Sequence, residues 1–335
     1  MSAPAIDAAT DTVLDVRDLT VEFPHRDREP VQPVRGVSFT VERRRRLGIV
    51  GESGSGKSLT ALALMRLLPA AARLAAGEVE LDGRELTRLS EHEMAHVRGG
   101  RMAMVYQDPM SSLNPLQKVG NQVAEAICTH EAVGRREAHD RAVELLRDVG
   151  LRQPERRCHD YPHQFSGGMR QRVMIAMAVC ANPDVLIADE PTTALDVTTQ
   201  ARIMDLLTRL VEERHMAVLL ITHDLGLAAA FCDDIHVMYG GRLVERGDAL
   251  TVFRRPLHPY TEALLESICR LDRDVDRPIA AIAGQPPLPE NLPSGCSFHP
   301  RCAYAREICR AEPPAAVAVE GQTAECHFAR ERRET

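Results

Sequence analysis

Hydrophobic and polar residues alternate in two segments near the beginning of the chain, Leu19–Phe23 and Val37–Val41. A strand that buries only one of its faces shows this alternation. Four later segments are apolar almost throughout, as expected for strands that are buried on both faces. They lie at residues 47–50, 101–105, 185–189 and 218–222. The alternating segments predict an antiparallel β-layer, and the apolar segments predict a parallel sheet.

Helical periodicity occupies the intervals between the apolar segments. Residues 137–149 give the clearest example, because their apolar side chains share one helical face and Gly150 suits a C-cap. The residues of that face are Ala138, Ala142, Leu145, Leu146 and Val149. Strands that alternate with helices favour a sheet with helices packed on it, so we expect an α/β fold.

A glycine-rich loop joins the first apolar segment to a helix-like run that starts near Leu59. The candidate phosphate-binding residues are Gly51, Glu52, Ser53, Gly54, Ser55, Gly56, Lys57, Ser58 and Leu59. Backbone N–H groups of such a loop wrap phosphates, its lysine reaches the β and γ phosphates, and its serine hydroxyl takes a place beside Mg²⁺. The loop therefore predicts a binding site for a nucleoside triphosphate.

Phe23 ends one strand of the antiparallel layer, which we expect to lie over the nucleotide. Its ring is a candidate for stacking on adenine. Packing in the core is the competing interpretation, because an aromatic residue on an alternating strand is more often buried there.

Three further segments place polar residues where a phosphate site would use them. Ser166, Gly167 and Gly168 open a helix-like run, and a helix N-terminus attracts anions. The segment at 185–189 ends in Asp189, and Glu190 is the next residue. His223 directly follows the segment at 218–222. The chain thus offers a second anion site together with groups suited to acid–base chemistry.

These motifs, in this order, resemble those of the ATP-binding cassette (ABC) ATPases. The residues that carry the resemblance are Gly51–Ser58 for the Walker A loop, Gln107 for the Q-loop, Ser166–Met169 for the signature, Asp189 and Glu190 for Walker B, Asp196 for the D-loop and His223 for the switch histidine. The resemblance implies a P-loop nucleotide-binding cassette with a parallel core sheet, an antiparallel β subdomain and an inserted helical subdomain.

The predicted organisation has four parts. They are a flexible N-terminus at 1–12, a cassette at 13–254, a helical subdomain inserted at about 108–160, and a small Cys-containing C-terminal extension at 255–335, called the tail below. A Pro-rich linker at 285–293 precedes the cysteines, and we expect the segment beyond it to be a separate small unit.

The resemblance also implies roles for the site residues. Ser58, Gln107 and Asp189 are expected to hold Mg²⁺, directly or through water. The catalytic residues are expected to be Lys57 and Gln107 together with Glu190, which would orient and deprotonate the attacking water, and His223, which would hold that water and the γ-phosphate in line. Ser166, Gly167, Gly168 and Asp196 are expected to face a nucleotide held by another cassette, so that two cassettes enclose two ATP molecules.

A finer resemblance is to the subfamily that serves dipeptide, oligopeptide and nickel importers. It is carried by Tyr106–Pro115, Tyr161–Phe165 and Arg255–Thr261. Arg43–Arg46 departs from the family, which usually has Gly-Glu at this turn. The subfamily implies ATP hydrolysis that energises peptide import; import of nickel, a metal chelate or an oligosaccharide is the alternative.

The partners implied are a second ABC ATPase, either a related chain or a second copy, two transmembrane permease subunits, and indirectly an extracytoplasmic binding protein. Residues Leu113–Val123 would line the groove that docks to the permeases, with an ordinary surface loop as the alternative. The resemblance places the chain peripherally on the cytoplasmic side of the inner (plasma) membrane.

Composition and segment lengths exclude several other classes. A formal charge of −7 provides no overall basic field for nucleic acid. Met1–Thr12 lacks a charged and then apolar leader, and no run approaches the roughly 20 apolar residues that cross a bilayer. Only one Walker A loop is present, the separation of 108 positions from Ser58 to Ser166 leaves no room for a long coiled coil, and no Asn-Lys-x-Asp element for reading guanine occurs. We expect a soluble protein.

Four of the nine cysteines lie within 31 residues of the tail. Cys296, Cys302, Cys309 and Cys326 show the spacing C-x5-C-x6-C-x16-C. Zinc sites usually pair cysteines two to four residues apart, whereas four thiolates suit a [4Fe–4S] cluster. The pattern resembles the tail of dipeptide and oligopeptide importer ATPases that carry such a cluster, which we expect here. Zinc, with His299 or His327 as substitute ligands, and free thiols are the alternatives.

Overall fold

A computed structural model describes residues 11–25, 28–267 and 282–333. The strands in this part of the chain are β1 Thr12–Phe23, β2 Val31–Glu42, β3 Arg46–Val50, β4 Arg73–Leu81, β5 Arg84–Glu85, β6 Met102–Val105, β7 Val185–Asp189, β8 Ala217–Thr222, β9 Asp234–Tyr239, β10 Arg242–Asp248, β11 Val317–Val319 and β12 Gln322–Ala324. The helices are α1 Lys57–Leu64, α2 Glu91–Val97, α3 Pro109–Ser112, α4 Val119–His130, α5 Arg135–Asp148, α6 Pro154–Arg157, α7 Gly167–Val179, α8 Val197–Arg214, α9 Leu225–Phe231, α10 Ala249–Arg254, α11 Pro259–Glu266, α12 Glu307–Ala311 and α13 Ala329–Arg333. None of these described helices has the length and apolar character of a membrane span.

Five parallel strands form the centre of the larger sheet. Its strand order is β11-β12-β10-β9-β3-β8-β7-β6, and β9, β3, β8, β7 and β6 run parallel. The four apolar segments are β3, β6, β7 and β8, so the predicted parallel sheet is confirmed. Because the carboxyl ends of parallel strands lie at one edge, the segments that follow Val50, Val105, Asp189 and Thr222 begin side by side.

Successive residues of the central strands enter two different cores. Ile49 and Leu219 pack with α1 and the antiparallel sheet. Val50 and Leu220 pack with α7, α8 and the helical insertion. Both faces of the sheet are therefore covered, which explains why these strands show no polar alternation.

The antiparallel sheet has the order β2-β1-β4-β5. Its first two strands contain the predicted segments Leu19–Phe23 and Val37–Val41, but each strand is 12 residues long. The pairing of β1 with β2 shifts register at several points, one of them between Val16 and Leu19. A bulge interrupts the alternation of inward and outward side chains, so the sequence pattern revealed only the regular part of each strand.

The basic turn at Arg43–Arg46 connects β2 to β3. Arg44 adopts a left-handed backbone with φ of 61°, which closes the turn without glycine. The carboxylate partners of Arg43, Arg45 and Arg46 are Asp82, Asp234 and Asp233, respectively. Three of the four positive charges are thus paired within the fold.

Helices α3 to α6 form an insertion between β6 and α7. The five apolar residues predicted to share a face of the helix at 137–149 are all buried, and α5 and its C-cap occupy Arg135–Val149. Gly150 follows with φ of 77°. The helical character predicted for about 108–160 is therefore present.

The tail continues the larger sheet. Strand β12 pairs with β10, with Ala324 opposite Glu245, and β11 pairs with β12. Leu257, Ala324, Cys326 and Ala329 share a small apolar cluster. The expectation of a separate unit is therefore corrected, because so few apolar residues bury little surface alone and gain more by extending an existing sheet. The boundary near residue 254 stays a prediction, and residues 1–10 of the predicted flexible N-terminus lie outside the described residues.

Candidate functional site

The nucleotide loop, residues 51–58, connects β3 to α1 at the carboxyl edge of the parallel strands. Gly56 has φ of 108°, and a Cβ atom there would lie 2.4 Å from the carbonyl oxygen of Pro33. Only glycine fits this position without backbone movement. Among the described residues, no side chain caps the start of α1. The first N–H groups of this helix are therefore available to an anion.

Lys57 folds back over the nucleotide loop. Its Nζ donates hydrogen bonds to the carbonyl oxygens of Gly51 at 2.7 Å and Glu52 at 2.9 Å. Burial lowers the pKa of the Lys57 ammonium, while the nearby carboxylates of Glu190 and Asp189 oppose that shift. The positive charge is thus held inside the loop, where phosphate oxygens could replace its carbonyl partners.

Ser58 and Asp189 form a pair of oxygen ligands. The Ser58 hydroxyl donates to Asp189 Oδ1 at 3.0 Å. Burial raises the pKa of the Asp189 carboxyl to about 6, and the neighbouring Glu190 charge adds to the rise. A bound cation would offset the cost of burying this carboxylate, and a hydroxyl beside a carboxylate suits Mg²⁺. The donor set therefore fits the predicted Mg²⁺ position.

Glu190 is the centre of a second polar cluster. Its Oε2 accepts hydrogen bonds from Gln107 Nε2 at 2.8 Å and from the Thr193 hydroxyl at 2.8 Å, and its Oε1 lies 3.3 Å from His223 Nδ1. Glu190 has φ of 46°, a backbone conformation that is strained for a residue with a side chain. Such strain is often concentrated at functional positions.

The structure thus brings six predicted residues together at one edge of the sheet. They are Lys57, Ser58, Gln107, Asp189, Glu190 and His223. Their proximity agrees with the predicted site, while their individual roles stay predictions. Sequence reasoning missed Thr193, although it stands three residues after Glu190 in the loop that follows β7.

The signature residues occupy a different surface. Ser166 is the N-cap of α7 and accepts a hydrogen bond from the Met169 N–H at 3.4 Å, and Ser166 and Gly167 are exposed. A Cβ atom on Gly168 would lie 2.3 Å from Thr199 Cγ2, so α7 and α8 approach closely here. Asp196 caps α8 by accepting from the Thr199 N–H at 3.0 Å. The start of α7 therefore faces solvent next to the start of α8.

Phe23 and Leu59 are the two predicted nucleotide contacts outside the polar clusters. Phe23 ends β1 and is half-buried. Leu59 is also partly buried and packs against the apolar cluster around α1. Neither contact to nucleotide is tested, so these two assignments stay predictions.

All four tail cysteines line one cavity of about 220 Å³, called the cysteine cavity below. Within the described ranges, one group alone has three metal-capable side chains with ligand atoms within 4.8 Å of one another, and it is His139, Cys158 and His159 in the helical insertion. His299 Nδ1 and His327 Nε2 each lie 3.0 Å from a backbone carbonyl oxygen.

The environment of the cysteine cavity disfavours bare thiolates. Burial raises the pKa of the Cys296 thiol to about 11, and the other three cysteines add to this rise. Burial likewise raises the pKa of Cys302 and of Cys326. Neighbouring thiols with raised pKa values become anionic only when a cation compensates their charge. The chemistry of the donor set therefore fits either a bound metal centre or protonated thiols.

Two residues of the tail contact the nucleotide loop, and sequence reasoning did not find them. The Tyr260 hydroxyl accepts a hydrogen bond from the Glu52 N–H at 2.7 Å. The Arg301 guanidinium pairs with the Glu52 carboxylate, with Nη1–Oε2 at 2.6 Å and Nη2–Oε1 at 2.9 Å. These partners are separated from Glu52 by 208 and 249 residues, so no local motif signals them.

The parallel sheet, the glycine loop at its carboxyl edge and the polar clusters around Asp189 and Glu190 define a P-loop nucleotide-binding ATPase. Comparison with known proteins gives the family. A family model described as "ABC transporter" matches residues 34–193, and one described as "Oligopeptide/dipeptide transporter, C-terminal region" matches residues 244–309.

Proteins of similar length match nearly the whole chain. A probable peptide ABC transporter ATP-binding protein, y4tR of Sinorhizobium fredii, is 48% identical over 94% of this chain and 95% of its own length. The oligopeptide transport ATP-binding protein OppD of Escherichia coli is 46% identical over 97% of this chain and 96% of its own length. This chain belongs to the ATP-binding proteins of ABC transporters, and it is a transporter ATPase.

Solved structures confirm the predicted fold. The dimeric structure of MJ0796, a bacterial ABC transporter cassette, superposes with a TM-score of 0.63 at 29% identity. The match covers 70% of this chain and 98% of that cassette. A second structure of MJ0796, a dimer in a post-hydrolysis state bound to ADP and Pi, matches equally well.

Proposed function

We propose that this chain is the ATP-hydrolysing subunit of a peptide importer. The observation that carries the proposal is the assembled site at residues 51–58, 107, 189–190 and 223 in a chain whose relatives are named for peptide, oligopeptide and dipeptide transport. The match of the tail to the C-terminal region of oligopeptide and dipeptide transporters supports the same substrate class.

The chain's own residues account for hydrolysis. The loop N–H groups and Lys57 bind and align the phosphates, and Ser58 and Asp189 would hold Mg²⁺, which neutralises phosphate charge when bound. Glu190 accepts the proton of the attacking water as the new bond to the γ-phosphorus forms and the bond to the ADP oxygen breaks. Gln107 and His223 orient Glu190 through the contacts described above.

The second phosphate-binding element would serve the nucleotide of a paired cassette. Ser166 and Gly167 are exposed at the start of α7, and Val197, beside Asp196, is 83% exposed although it is apolar. A surface that combines an exposed helix N-terminus with an exposed apolar side chain suits a second cassette carrying ATP. The partner is a related ATPase or a second copy of this chain.

The helical insertion provides the surface for the membrane subunits. Leu116 lies within the predicted docking segment Leu113–Val123 and is 87% exposed, whereas Leu113, Val119 and Val123 are buried. The buried residues fix the segment and leave one large apolar side chain free to enter a permease groove. We place the chain at the cytoplasmic face of the membrane, bound to two permeases and served by an external binding protein.

The tail holds a [4Fe–4S] cluster in this account, with a structural role. Four thiols around one cavity suit the cluster. The spacing C-x5-C-x6-C-x16-C lacks the close cysteine pairs that are usual in zinc sites, which favours the cluster over zinc. Arg301, Cys302 and Phe298 tie this region to the cassette, so the cluster would stabilise the contact between them.

Purification of the intact membrane assembly tests the substrate class. The assembly is captured through a tag on this chain, and the small molecules carried by its binding protein are identified by mass spectrometry. Peptides are expected. Recovery of nickel, a metal chelate or an oligosaccharide in place of peptides would contradict peptide import and favour the alternative, whereas ATPase activity would be retained in either case.

A further inference from the structure

Arg301 connects the tail to the nucleotide loop through a partly buried ion pair. Its side chain is 4% exposed, and its two terminal nitrogens contact both oxygens of Glu52. Its Nε donates to the carbonyl oxygen of Ala283 at 2.9 Å, which fixes the plane of the guanidinium. A two-pronged contact of this kind defines direction as well as distance, and a lysine cannot reproduce it.

Glu52 receives contacts from the tail and from the catalytic lysine at the same time. Its carboxylate pairs with Arg301, its N–H donates to the Tyr260 hydroxyl, and its carbonyl oxygen accepts from Lys57 Nζ. The next two residues, Ser53 and Gly54, are exposed. The backbone of the loop is therefore anchored at Glu52, just before its most exposed part.

An aromatic cluster lies between this anchor and the cysteine cavity. Tyr239, Tyr260 and Phe298 have ring centroids 4.5 to 5.3 Å apart, and all three are almost fully buried. Phe298 also lines the cysteine cavity, and Arg301 directly precedes Cys302 in the chain. Because these rings are close-packed, a displacement of one of them would strain its contacts with the others.

Two physical effects make Arg301 matter for nucleotide affinity. Ordering a glycine-rich loop costs conformational entropy, and an anchor present before binding lowers that cost. Glu52 also places a negative charge beside the position of the phosphates, and Arg301 neutralises it. Loss of Arg301 would leave this carboxylate unpaired, and a like charge near a bound anion disfavours binding.

We infer that the tail sets the affinity of the nucleotide loop for ATP through Arg301, a positioning residue that holds Glu52 in place. The inference rests on the proposed ATP site at residues 51–58 and does not depend on which group the cysteines hold. It makes the cysteine-containing tail a part of the nucleotide site, although it lies about 250 residues from the loop in the sequence.

Equilibrium binding of Mg-ATP to the full-length chain tests the inference. Binding is measured in the Glu190→Gln background, so that the nucleotide is not consumed. Arg301→Gln should weaken binding on the order of 10-fold, a usual size for coupling between two sites, and Arg301→Lys should fall between that variant and the wild type. Arg310→Gln changes an exposed arginine of the same tail and is the matched control, with unchanged affinity expected.

A double-mutant cycle separates positioning from a general loss of structure. Glu52→Gln should restore most of the affinity that Arg301→Gln loses, because no unpaired carboxylate then faces the phosphates. In the copurified assembly without the Glu190 change, Arg301→Gln should raise KM for ATP and leave kcat within about two-fold, because Arg301 contacts none of the reacting groups.

The possible results distinguish a failure of the proposed ATP site from a failure of the inference about Arg301. If the wild-type chain fails to bind ATP, the ATP site itself is wrong. If the wild type binds and Arg301→Gln binds equally well, or if the Glu52 and Arg301 changes are simply additive, only the inference is overturned. A fall in kcat together with a lower melting temperature would show a general structural defect and would also overturn it.

The cysteine cavity gives an independent readout of the same connection. Cys302→Ser should weaken ATP binding in the wild-type background and should have no further effect in the Glu52→Gln, Arg301→Gln double variant. Cys128→Ser changes an exposed cysteine outside the cavity and is the control. An equal effect of Cys302→Ser in both backgrounds would contradict transmission through Arg301.

Discussion

Two helix N-termini in this molecule are suited to phosphate, and their surroundings differ. The start of α1 is enclosed by residues of its own chain, since Lys57 is 4% exposed and Ser58 bonds to Asp189. The start of α7 is capped by Ser166 and is open to solvent. Among the described residues, the first site has a lysine and a carboxylate beside its helix start, whereas the second offers mainly the helix end.

The difference supports the proposed division of work between two cassettes. In that proposal, binding uses the enclosed loop with its lysine and cation ligands. Hydrolysis would need in addition a positive helix end on the far side of the γ-phosphate, and the exposed start of α7 of another cassette would supply it. Binding and hydrolysis should therefore respond differently to changes at the two helices.

Glu190→Gln should have the largest effect on hydrolysis. Turnover by the assembled transporter is expected to fall by about 10²- to 10⁴-fold, the usual contribution of a general base. ATP binding should stay nearly intact, and an ATP-stabilised dimer should accumulate, seen as a mass increase in light scattering. Turnover close to that of the wild type would contradict the role assigned to Glu190.

Ser166→Arg should lower ATP hydrolysis without weakening ATP binding. A bulky side chain at the N-cap of α7 would block the approach of a second nucleotide, and loss of charge-stabilising donors lowers turnover by about 10²- to 10³-fold. Binding of ATP to the isolated chain should be unchanged, because Ser166 lies away from the nucleotide loop. Weaker ATP binding by the isolated chain would contradict the assignment of binding to α1 and hydrolysis to α7.

Lys57→Ala, in contrast to Ser166→Arg, should weaken ATP binding by the isolated chain. Charged hydrogen bonds contribute about 1.5 to 3 kcal/mol, so ATP affinity of the isolated chain is expected to fall by roughly 10- to 100-fold. Calorimetric titration of the variant measures this directly. Unchanged affinity would show that the loop at 51–58 does not hold the phosphates as proposed.

Loss of metal from the cysteine cavity should affect ATP binding and hydrolysis less than the three substitutions above. Anaerobic purification is expected to give a brown protein with about four irons per chain. Removal of the metal should lower the melting temperature by several degrees while the ATP-stabilised dimer still forms at saturating ATP. A colourless anaerobic protein with stoichiometric zinc, or with four titratable tail thiols and no metal, would rule out the cluster.

The core of the fold was predictable because its signals are local. The segments at 47–50, 101–105, 185–189 and 218–222 are buried on both faces, and each ends where a functional motif starts. The lengths of β1 and β2 were not predictable, since bulges such as that between Val16 and Leu19 interrupt the alternation.

Contacts between distant segments mark the limit of prediction from sequence. The pairing of Glu52 with Arg301 and the addition of β12 to β10 depend on how the tail returns to the cassette. Nothing in residues near Glu52 or Arg301 indicates the partner. In contrast, Ser166 could be identified as an N-cap, because capping depends only on the few residues that follow it.

Peptide-stimulated ATP hydrolysis is the most direct test of the central claim. The copurified assembly is reconstituted in vesicles with its binding protein, and hydrolysis is measured with peptides, nickel or oligosaccharides added in turn. The account predicts that peptides alone raise hydrolysis and that Glu190→Gln in this chain abolishes the increase. Stimulation by nickel or an oligosaccharide but not by any peptide, or a peptide response that survives Glu190→Gln, would contradict it.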